Sequence, residues 1–127
     1  MGYVLRRVTQ RHLAIFSEVV PAITTTQFAV MARLAEGGAQ SQNQLGRAAA
    51  MDGATIKGVV DRLVRQGFVA TAPDEADRRR LTVALTDEGQ RFFNAQIAAA
   101  LEVSDKTLEP LSKAEQAQFL ALLARLT

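Results

Sequence analysis

Three consecutive arginines, Arg78, Arg79 and Arg80, form the densest positive charge in this sequence of 127 residues. They lie within DEADRRRLTVALTDEG, between acidic residues and a β-branched stretch that is typical of a strand. Like charges repel, so folding alone gives no reason to place three arginines side by side. We therefore expect them to meet an anionic partner. Asp74 or Asp77 can pair with one arginine and fix its direction, which leaves the others available.

The composition restricts which kinds of protein this can be. Hydrophobic residues make up 48% and charged residues 22% of the chain, which is typical of a globular domain. The formal net charge of +2 favours an anionic partner only weakly, so the clustering of arginine is more informative than the total. With no cysteine and one histidine, we expect no metal site. The sequence has no Gly-rich phosphate loop and no nucleophile–histidine arrangement, so we expect neither an enzyme nor a bound cofactor.

No segment of the sequence is suited to a membrane. The longest apolar runs, such as Ala98–Leu101, are far shorter than the ~20 residues that a spanning helix needs. Arg6 and Arg7 are not followed by the apolar block of a secretory signal. We therefore predict a soluble cytoplasmic protein without a membrane partner.

The starts and ends of the helices are marked by local signals. Capping boxes are predicted at three pairs of residues: Thr24 with Gln27, Ser41 with Gln44, and Ser112 with Glu115. Asp52 and Thr86 are further candidates for N-caps. Pro21 ends the first helix, and Gly67 is suited to the left-handed turn that stops the fourth.

These signals predict four helices, a hairpin and two helices. Two short helices, at 41–50 and about 53–66, are separated by the tight connection AMDG. The second of them has an apolar stripe of Ile56, Val59, Val60, Leu63 and Val64. FVAT and LTVAL then form a hairpin with the arginines at its tip. The long helix after Thr86 has an apolar side of Phe93, Ile97, Leu101, Leu108 and Leu111. The predicted fold class is mainly α with a small β-hairpin, a winged helix-turn-helix.

This order of elements predicts contacts with double-stranded DNA. The second helix of the pair enters the major groove, where Thr55 and Lys57 project outward from a start that is rich in small residues. The hairpin is narrow enough to place arginine in the minor groove. We assign Arg78 to the groove, Arg79 to an ion pair with an aspartate, and Arg80 to a phosphate. Further predicted contacts are Arg62, Ser41 and Gln42.

Each of these residues also has an interpretation without DNA. The three arginines can form a solvated face, Thr55 can be an ordinary helix-terminal residue, and Lys57 an idle surface lysine. Asp61 and Arg62 are interpreted as a local pair or a brace between helices, with direct base reading by Arg62 as the alternative.

From Thr25 to Gly89 the sequence resembles the multiple-antibiotic-resistance regulator (MarR) family of bacterial transcription factors. The matching segments are TTTQFAVMARLAEG, QNQLGRAAAMDGATIKGVVDRLVRQGFV and the arginine-containing segment quoted above. The resemblance implies a homodimer on a pseudo-palindromic operator, usually a repressor released by a small molecule. It also implies one domain over 1–127, with a DNA-binding lobe at 24–89 and dimerisation helices at 1–20 and 90–127. By this resemblance Thr55 and Lys57 read the major groove, and Arg78 the minor groove.

The resemblance further implies an effector site near His12, the lone histidine. Effectors of the family bind between the dimerisation helices and the DNA-binding lobe, and aromatic carboxylates are frequent among them. His12 with Arg7 or Arg11 can hold a carboxylate, while Phe16 or Phe28 stacks on the ring. The alternative is a histidine that is satisfied in a core or an interface.

The apolar terminal helices also leave two interpretations open. They can close the core of a monomer, or they can interlock with a second copy, which buries more apolar surface. A different class of function is a winged-helix module for protein–protein contact. Such a module predicts no sequence-dependent binding to DNA.

Overall fold

The computed structural model describes all of residues 1–127. Six helices are α1 Gly2–Val19, α2 Thr25–Gly37, α3 Gln42–Ala48, α4 Gly53–Arg65, α5 Asp87–Leu108 and α6 Lys113–Ala124. Three strands are β1 Gln40–Ser41, β2 Val69–Pro73 and β3 Leu81–Leu85. The predicted fold class, mainly helical with a winged helix-turn-helix, is confirmed.

The chain forms two compact units. One, the terminal-helix unit, comprises Met1–Pro21 and Ala98–Thr127, and the other, the winged-helix unit, comprises Ala22–Ile97. The division falls inside α5, so this helix contributes its first half to the winged-helix unit and its second half to the terminal-helix unit.

The predicted helix caps are present. Thr24, Ser41 and Ser112 each accept a hydrogen bond from the backbone three residues on, and the Gln or Glu at that position bonds back to the cap. Asp52 caps α4 without the reciprocal bond. Thr86 caps α5, since its hydroxyl oxygen accepts from the Gly89 N–H at 3.0 Å. These short-range bonds satisfy helix-terminal N–H groups and fix where each helix begins.

The sheet has one strand more than the predicted hairpin. The strand order is β1-β3-β2, and all the pairings are antiparallel. Gln40 pairs with Val83 and Ser41 with Thr82, so the two residues before α3 form an outer strand. A strand of two residues is too short to show a period of two, which explains why the sequence did not reveal it.

Four residues of the predicted apolar stripes lie outside the core of the chain, and two of them, Ile97 and Leu101, are on α5 and are 41% and 65% exposed. Val64 is 41% exposed, whereas Ile56, Val59, Val60 and Leu63 are buried, so the core-facing stripe of α4 ends at Leu63. The prediction for Leu111 was also wrong, because α5 ends at Leu108. Leu111 lies in the turn before α6, where its N–H donates to the Leu108 carbonyl at 2.9 Å.

The turn of the helix-turn-helix holds α3 and α4 close together. The Met51 N–H donates to the Gly46 carbonyl at 2.8 Å, and Ala50 adopts a left-handed φ of 55°. A Cβ at Gly46 would lie 3.2 Å from Ile56 Cγ2, so this glycine allows the two helices to approach. After α4, Gly67 has a φ of 80°, which reverses the chain into β2 as predicted.

No helix of the structure has both the length and the apolar character needed to cross a bilayer. The structure also contains no group of three or more His, Cys, Asp or Glu side chains that is arranged to hold a metal ion.

Candidate DNA-binding site

The first turn of α4 presents an exposed, well-capped surface. The Asp52 carboxylate accepts a hydrogen bond from the Thr55 N–H at 2.7 Å. This bond from the Thr55 backbone holds the pKa of Asp52 below its usual value, because it stabilises the ionised carboxylate. Thr55 and Lys57 are exposed, while Ile56 is buried between them. The sequence prediction that both side chains project from the protein is confirmed, although what they contact stays a prediction.

The carboxylate of Asp61 pairs with Lys57, not with Arg62. The Lys57 Nζ lies 2.9 Å from Asp61 Oδ2, one helical turn away. The predicted local pair of Asp61 and Arg62 is therefore wrong. Neighbouring residues on a helix point about 100° apart, whereas residues four apart share a face. Arg62 is exposed and is not held by this carboxylate.

The wing is the loop from Asp74 to Arg80 between β2 and β3. It is closed by a hydrogen bond from the Asp74 N–H to the Arg80 carbonyl at 2.9 Å. The Asp74 side chain accepts from the Ala76 N–H at 2.8 Å, so it shapes the turn and does not pair with an arginine. The loop therefore has a defined backbone onto which the arginines are placed.

Asp77 organises two of the three arginines. The Asp77 carboxylate accepts two hydrogen bonds from the Arg79 side chain, from Nε at 3.2 Å and from Nη2 at 3.4 Å. The Nε of Arg80 lies 3.7 Å from the same carboxylate. The hydrogen bonds from the Arg79 side chain and backbone, followed by the charge of Arg80, lower the pKa of Asp77. The predicted ion pair of Arg79 with an aspartate is present in the structure.

Arg78 is the arginine of the wing that stays unpaired. It is exposed and forms no ion pair or side-chain hydrogen bond within the chain. Its guanidinium is therefore available to a partner. Arg79 has a side chain that is 92% exposed in spite of its ion pair, so it too can be reached from solvent.

A polar recess of about 150 Å³ joins the wing to the start of α3. It is lined by Ser41, Gln42, Asn43, Arg79, Arg80 and Leu81. The structure thus brings Ser41 and Gln42 beside two of the predicted arginines. The Ser41 hydroxyl already accepts from the Gln44 N–H at 3.2 Å, so Gln42 has the more available side chain. Asn43 was missed, although it directly follows two predicted residues.

His12 lines a second candidate site, which lies entirely within the terminal-helix unit. This cavity of about 310 Å³ is bounded by residues of α1, α5 and α6, namely Val8, Thr9, His12, Ser104, Thr107, Leu108, Phe119, Leu120 and Leu123. Its walls are mostly apolar with a few polar groups, and its volume suits a small ligand.

The hydrogen bonds of His12 define which ring nitrogen is available. Its Nδ1 lies 3.0 Å from Thr107 Oγ1, and the Thr107 hydroxyl donates to the Val103 carbonyl at 2.8 Å. Because the hydroxyl proton is used on Val103, the Nδ1–H of His12 donates to the threonine oxygen. The other nitrogen, Nε2, then remains for a ligand: it accepts a hydrogen bond in the neutral ring and donates one only when the ring carries both protons.

None of the other predicted effector residues lines this cavity. Arg11 donates to the carbonyls of Lys106, at 2.9 Å, and of Thr107, at the carboxyl end of α5. A cation is favourable there because of the helix dipole. Arg7 lies over the Tyr3 ring, 5.9 Å from its centroid. Arg11 therefore has a structural role that the sequence did not suggest.

The two predicted aromatic residues belong to different units of the chain. Phe16 is buried in α1, within the terminal-helix unit. Phe28 is in α2 of the winged-helix unit, where its ring lies 5.3 Å from that of Phe93. The cavity residues that sequence reasoning missed are Ser104, Thr107 and Phe119. Ser104 and Thr107 are three apart and so share one side of α5, but the charged Asp105 and Lys106 between them concealed this pattern in the sequence.

An exposed second helix in a helix-turn-helix, followed by an arginine-tipped wing, is typical of the class of winged helix-turn-helix DNA-binding proteins. The MarR family model matches residues 23–81. The repressor NicR of Pseudomonas putida is 37% identical over 128 residues, which cover 99% of this chain and 81% of NicR. The chain therefore belongs to the MarR family of transcriptional regulators.

Solved structures agree with this assignment. A probable transcriptional regulator from Pseudomonas aeruginosa matches with a TM-score of 0.96 and 45% identity, covering 100% of this chain and 96% of that chain. Bordetella bronchiseptica BpsR, whose DNA binding is regulated by 6-hydroxynicotinic acid, matches with a TM-score of 0.94 and 35% identity. That match covers 99% of this chain and 91% of BpsR.

Proposed function

We propose that the protein is a homodimeric repressor that binds a pseudo-palindromic operator and is released by a small aromatic carboxylic acid. The observation that carries the proposal is the wing, where Asp77 fixes Arg79 and Arg80 and leaves Arg78 exposed and unpaired. An unpaired arginine on the wing can enter the minor groove of a duplex while the exposed helix α4 lies in the adjacent major groove.

The proposed contacts divide between the two grooves. Thr55, Lys57 and Arg62 read the major groove from α4, since all three are exposed on that helix. Arg78 enters the minor groove, where negative potential favours arginine. The remaining contacts go to the phosphate backbone around the recess and come from Arg79, Arg80, Ser41 and Gln42. Ser41 takes part as the N-cap at the start of α3.

The exposed apolar surface supports a homodimer. In the terminal-helix unit these exposed residues are Met1, Tyr3, Val4, Leu5, Val8, Leu13, Leu101, Phe119, Leu120, Leu122, Leu123 and Leu126. A soluble monomer rarely leaves such a large set of apolar side chains in water. Pairing of two copies through this unit would bury them and present two recognition helices. The two α4 helices of such a dimer would bind half-sites whose centres lie roughly 34–36 Å apart.

The cavity beside His12 supports an effector site. Its volume of about 310 Å³ and apolar walls suit one aromatic ring, and His12 in its doubly protonated form can donate from Nε2 to a carboxylate while Nδ1 donates to Thr107. BpsR, which is regulated by 6-hydroxynicotinic acid, is an example of a relative with an aromatic acid as its regulator. Arg7, which has no backbone bond, is proposed as a second cation for the carboxylate, while Arg11 and Phe16 are proposed to shape the surroundings.

The decisive experiment is to incubate the purified protein with fragmented genomic DNA and to sequence the fragments that it retains. We expect enrichment of one or a few sites with inverted symmetry. Electrophoretic shifts on such a site, together with sedimentation equilibrium, should show two chains per bound duplex. A module for protein–protein contact would enrich no sequence, and a monomeric mass in both experiments would reject the dimer.

Replacement of His12 by alanine tests the effector site. Loss of a hydrogen bond to a charged carboxylate should weaken effector binding by about 2 kcal/mol, which is on the order of thirtyfold. The measurement is calorimetric titration with hydroxylated benzoates, cinnamates and pyridine carboxylates, including 6-hydroxynicotinic acid. Thr9→Ala, which changes the same cavity without removing a charge partner, is the control. If His12→Ala binds the active compound as tightly as the parent does, the site is not at His12.

A further inference from the structure

The outward face of α4 carries one ion pair at its centre. Lys57 Nζ and Asp61 Oδ2 are 2.9 Å apart, and their side chains are 67% and 48% exposed. Asp61 is the only carboxylate between Gly53 and Arg65, where the other charged residues are basic. The only other carboxylate at this end of the surface, Asp52, is accounted for as the cap that accepts from the Thr55 N–H. A second carboxylate, in the middle of a surface proposed to face an anionic duplex, needs another physical reason, because it weakens attraction to phosphate.

Small residues lie next to the ion pair on the surface of α4. Ala54, Gly58 and Asp61 share a face because they are four and three residues apart. Ala54 is exposed, and a Cβ added at Gly58 would find no atom within 4 Å. The ion pair is therefore flanked by small residues on its N-terminal side.

The ion pair responds differently to the backbone and to the bases. If Lys57 moved to a phosphate, it would leave Asp61 unpaired and close to another anion, which is unfavourable. At a base edge the pair can persist. Guanine presents O6 and N7 as acceptors for the ammonium, and cytosine presents its N4 amino group as a donor to the carboxylate. A G·C pair offers both on the same major-groove edge.

We propose that Asp61 is a positioning residue that determines specificity: it holds Lys57 away from phosphate and directs the pair to a G·C step. This inference rests on the DNA binding proposed above. Its role is selection between sequences, and removing the carboxylate should strengthen binding to unrelated DNA while weakening discrimination.

The test compares Asp61→Asn with the parent on two probes, a fragment retained in the genomic selection and a random duplex of equal length. We expect tighter binding to the random duplex and a salt slope of log affinity that is steeper by about 0.9 for each subunit, because Lys57 becomes able to neutralise a phosphate. The ratio of specific to random affinity should fall on the order of tenfold, since one well-read base pair contributes about that much. Replacing the G·C pair that Lys57 and Asp61 are proposed to contact by an A·T pair should then reduce the affinity of the variant less than that of the parent.

Three further variants isolate the mechanism. Glu36→Gln removes the same charge from the exposed Arg33–Glu36 pair of α2, whose atoms are 3.1 Å apart, and should leave the ratio unchanged. Asp61→Glu keeps a carboxylate and should restore most of the discrimination. In the Lys57→Ala background, Asp61→Asn should have no further effect on the salt slope.

The outcomes separate this inference from the proposed function. If no sequence is enriched and all variants bind the random duplex like the parent, both are rejected. If the parent selects a site but Asp61→Asn leaves its ratio and slope unchanged, only the role of Asp61 is rejected. The role is also rejected if Glu36→Gln produces the same change, or if Asp61→Asn acts equally without Lys57.

Discussion

Replacing Gly89 by alanine should lower the free energy of unfolding by about 3 kcal/mol, at the upper end of the usual cost of overpacking. An added Cβ would lie 1.9 Å from the carbonyl oxygen of Phe68 and 2.8 Å from its carbonyl carbon. Both atoms belong to the backbone, so no side-chain rotation relieves the clash. Urea unfolding followed by circular dichroism gives the measurement.

The clash is costly because the same backbone atoms hold the start of α5. The Phe68 carbonyl accepts from the Thr86 N–H at 3.0 Å, and the Thr86 hydroxyl donates to the Gly67 carbonyl at 2.6 Å. Thr86 also caps α5 through the Gly89 N–H. Moving Phe68 away from a new Cβ would weaken these bonds and displace β2, which begins at the next residue. The wing depends on that strand, so DNA binding should fall as well.

Gly58→Ala is the matched control, since it makes the same chemical change in another helix. No atom lies within 4 Å of the position that its Cβ would occupy. Alanine has the higher helix propensity, so this variant should be more stable by about 1 kcal/mol. If both variants were destabilised to the same extent, the close approach to Phe68 would not be the cause.

The parts of the fold that sequence reasoning predicted are those fixed by short-range bonds. The capping box of Ser41 and Gln44 acts over three residues, so its chemistry is visible in the sequence. The strand β1 is fixed by the pairing of Gln40 with Val83, more than forty residues away, so no pattern in the neighbouring sequence predicts it. The same difference explains Arg11, whose partners at the end of α5 are 95 and 96 residues distant.

The candidate site shows the same division between local and distant causes. The arginine cluster and its aspartate are close in sequence, so the pairing of Arg79 could be predicted from composition and a turn. The partner of Asp61 required the geometry of the helix, since Lys57 is four residues away and Arg62 is adjacent. The cavity beside His12 is formed by three helices, and its lining depends on how they pack.

Replacing Arg78 by alanine should weaken operator binding by about 2 kcal/mol for each wing, on the order of thirtyfold, with no loss of folding stability. Arg78 is exposed and unpaired, so its removal leaves the turn and the Asp77 ion pairs in place. The salt dependence should also become flatter, because fewer counterions are displaced from the duplex. A series of electrophoretic shifts at increasing salt measures both quantities.

Two control variants separate charge from shape at the wing. Arg33→Ala removes the same charge from α2, where Arg33 is paired with Glu36, and should leave affinity and slope nearly unchanged. Arg78→Lys keeps the charge but loses the planar guanidinium, so it should preserve the salt slope and recover only part of the affinity. An Arg78→Ala protein with the parent's affinity and slope would remove the wing from the DNA contact. The exposure of Arg78 would then be that of a solvated side chain.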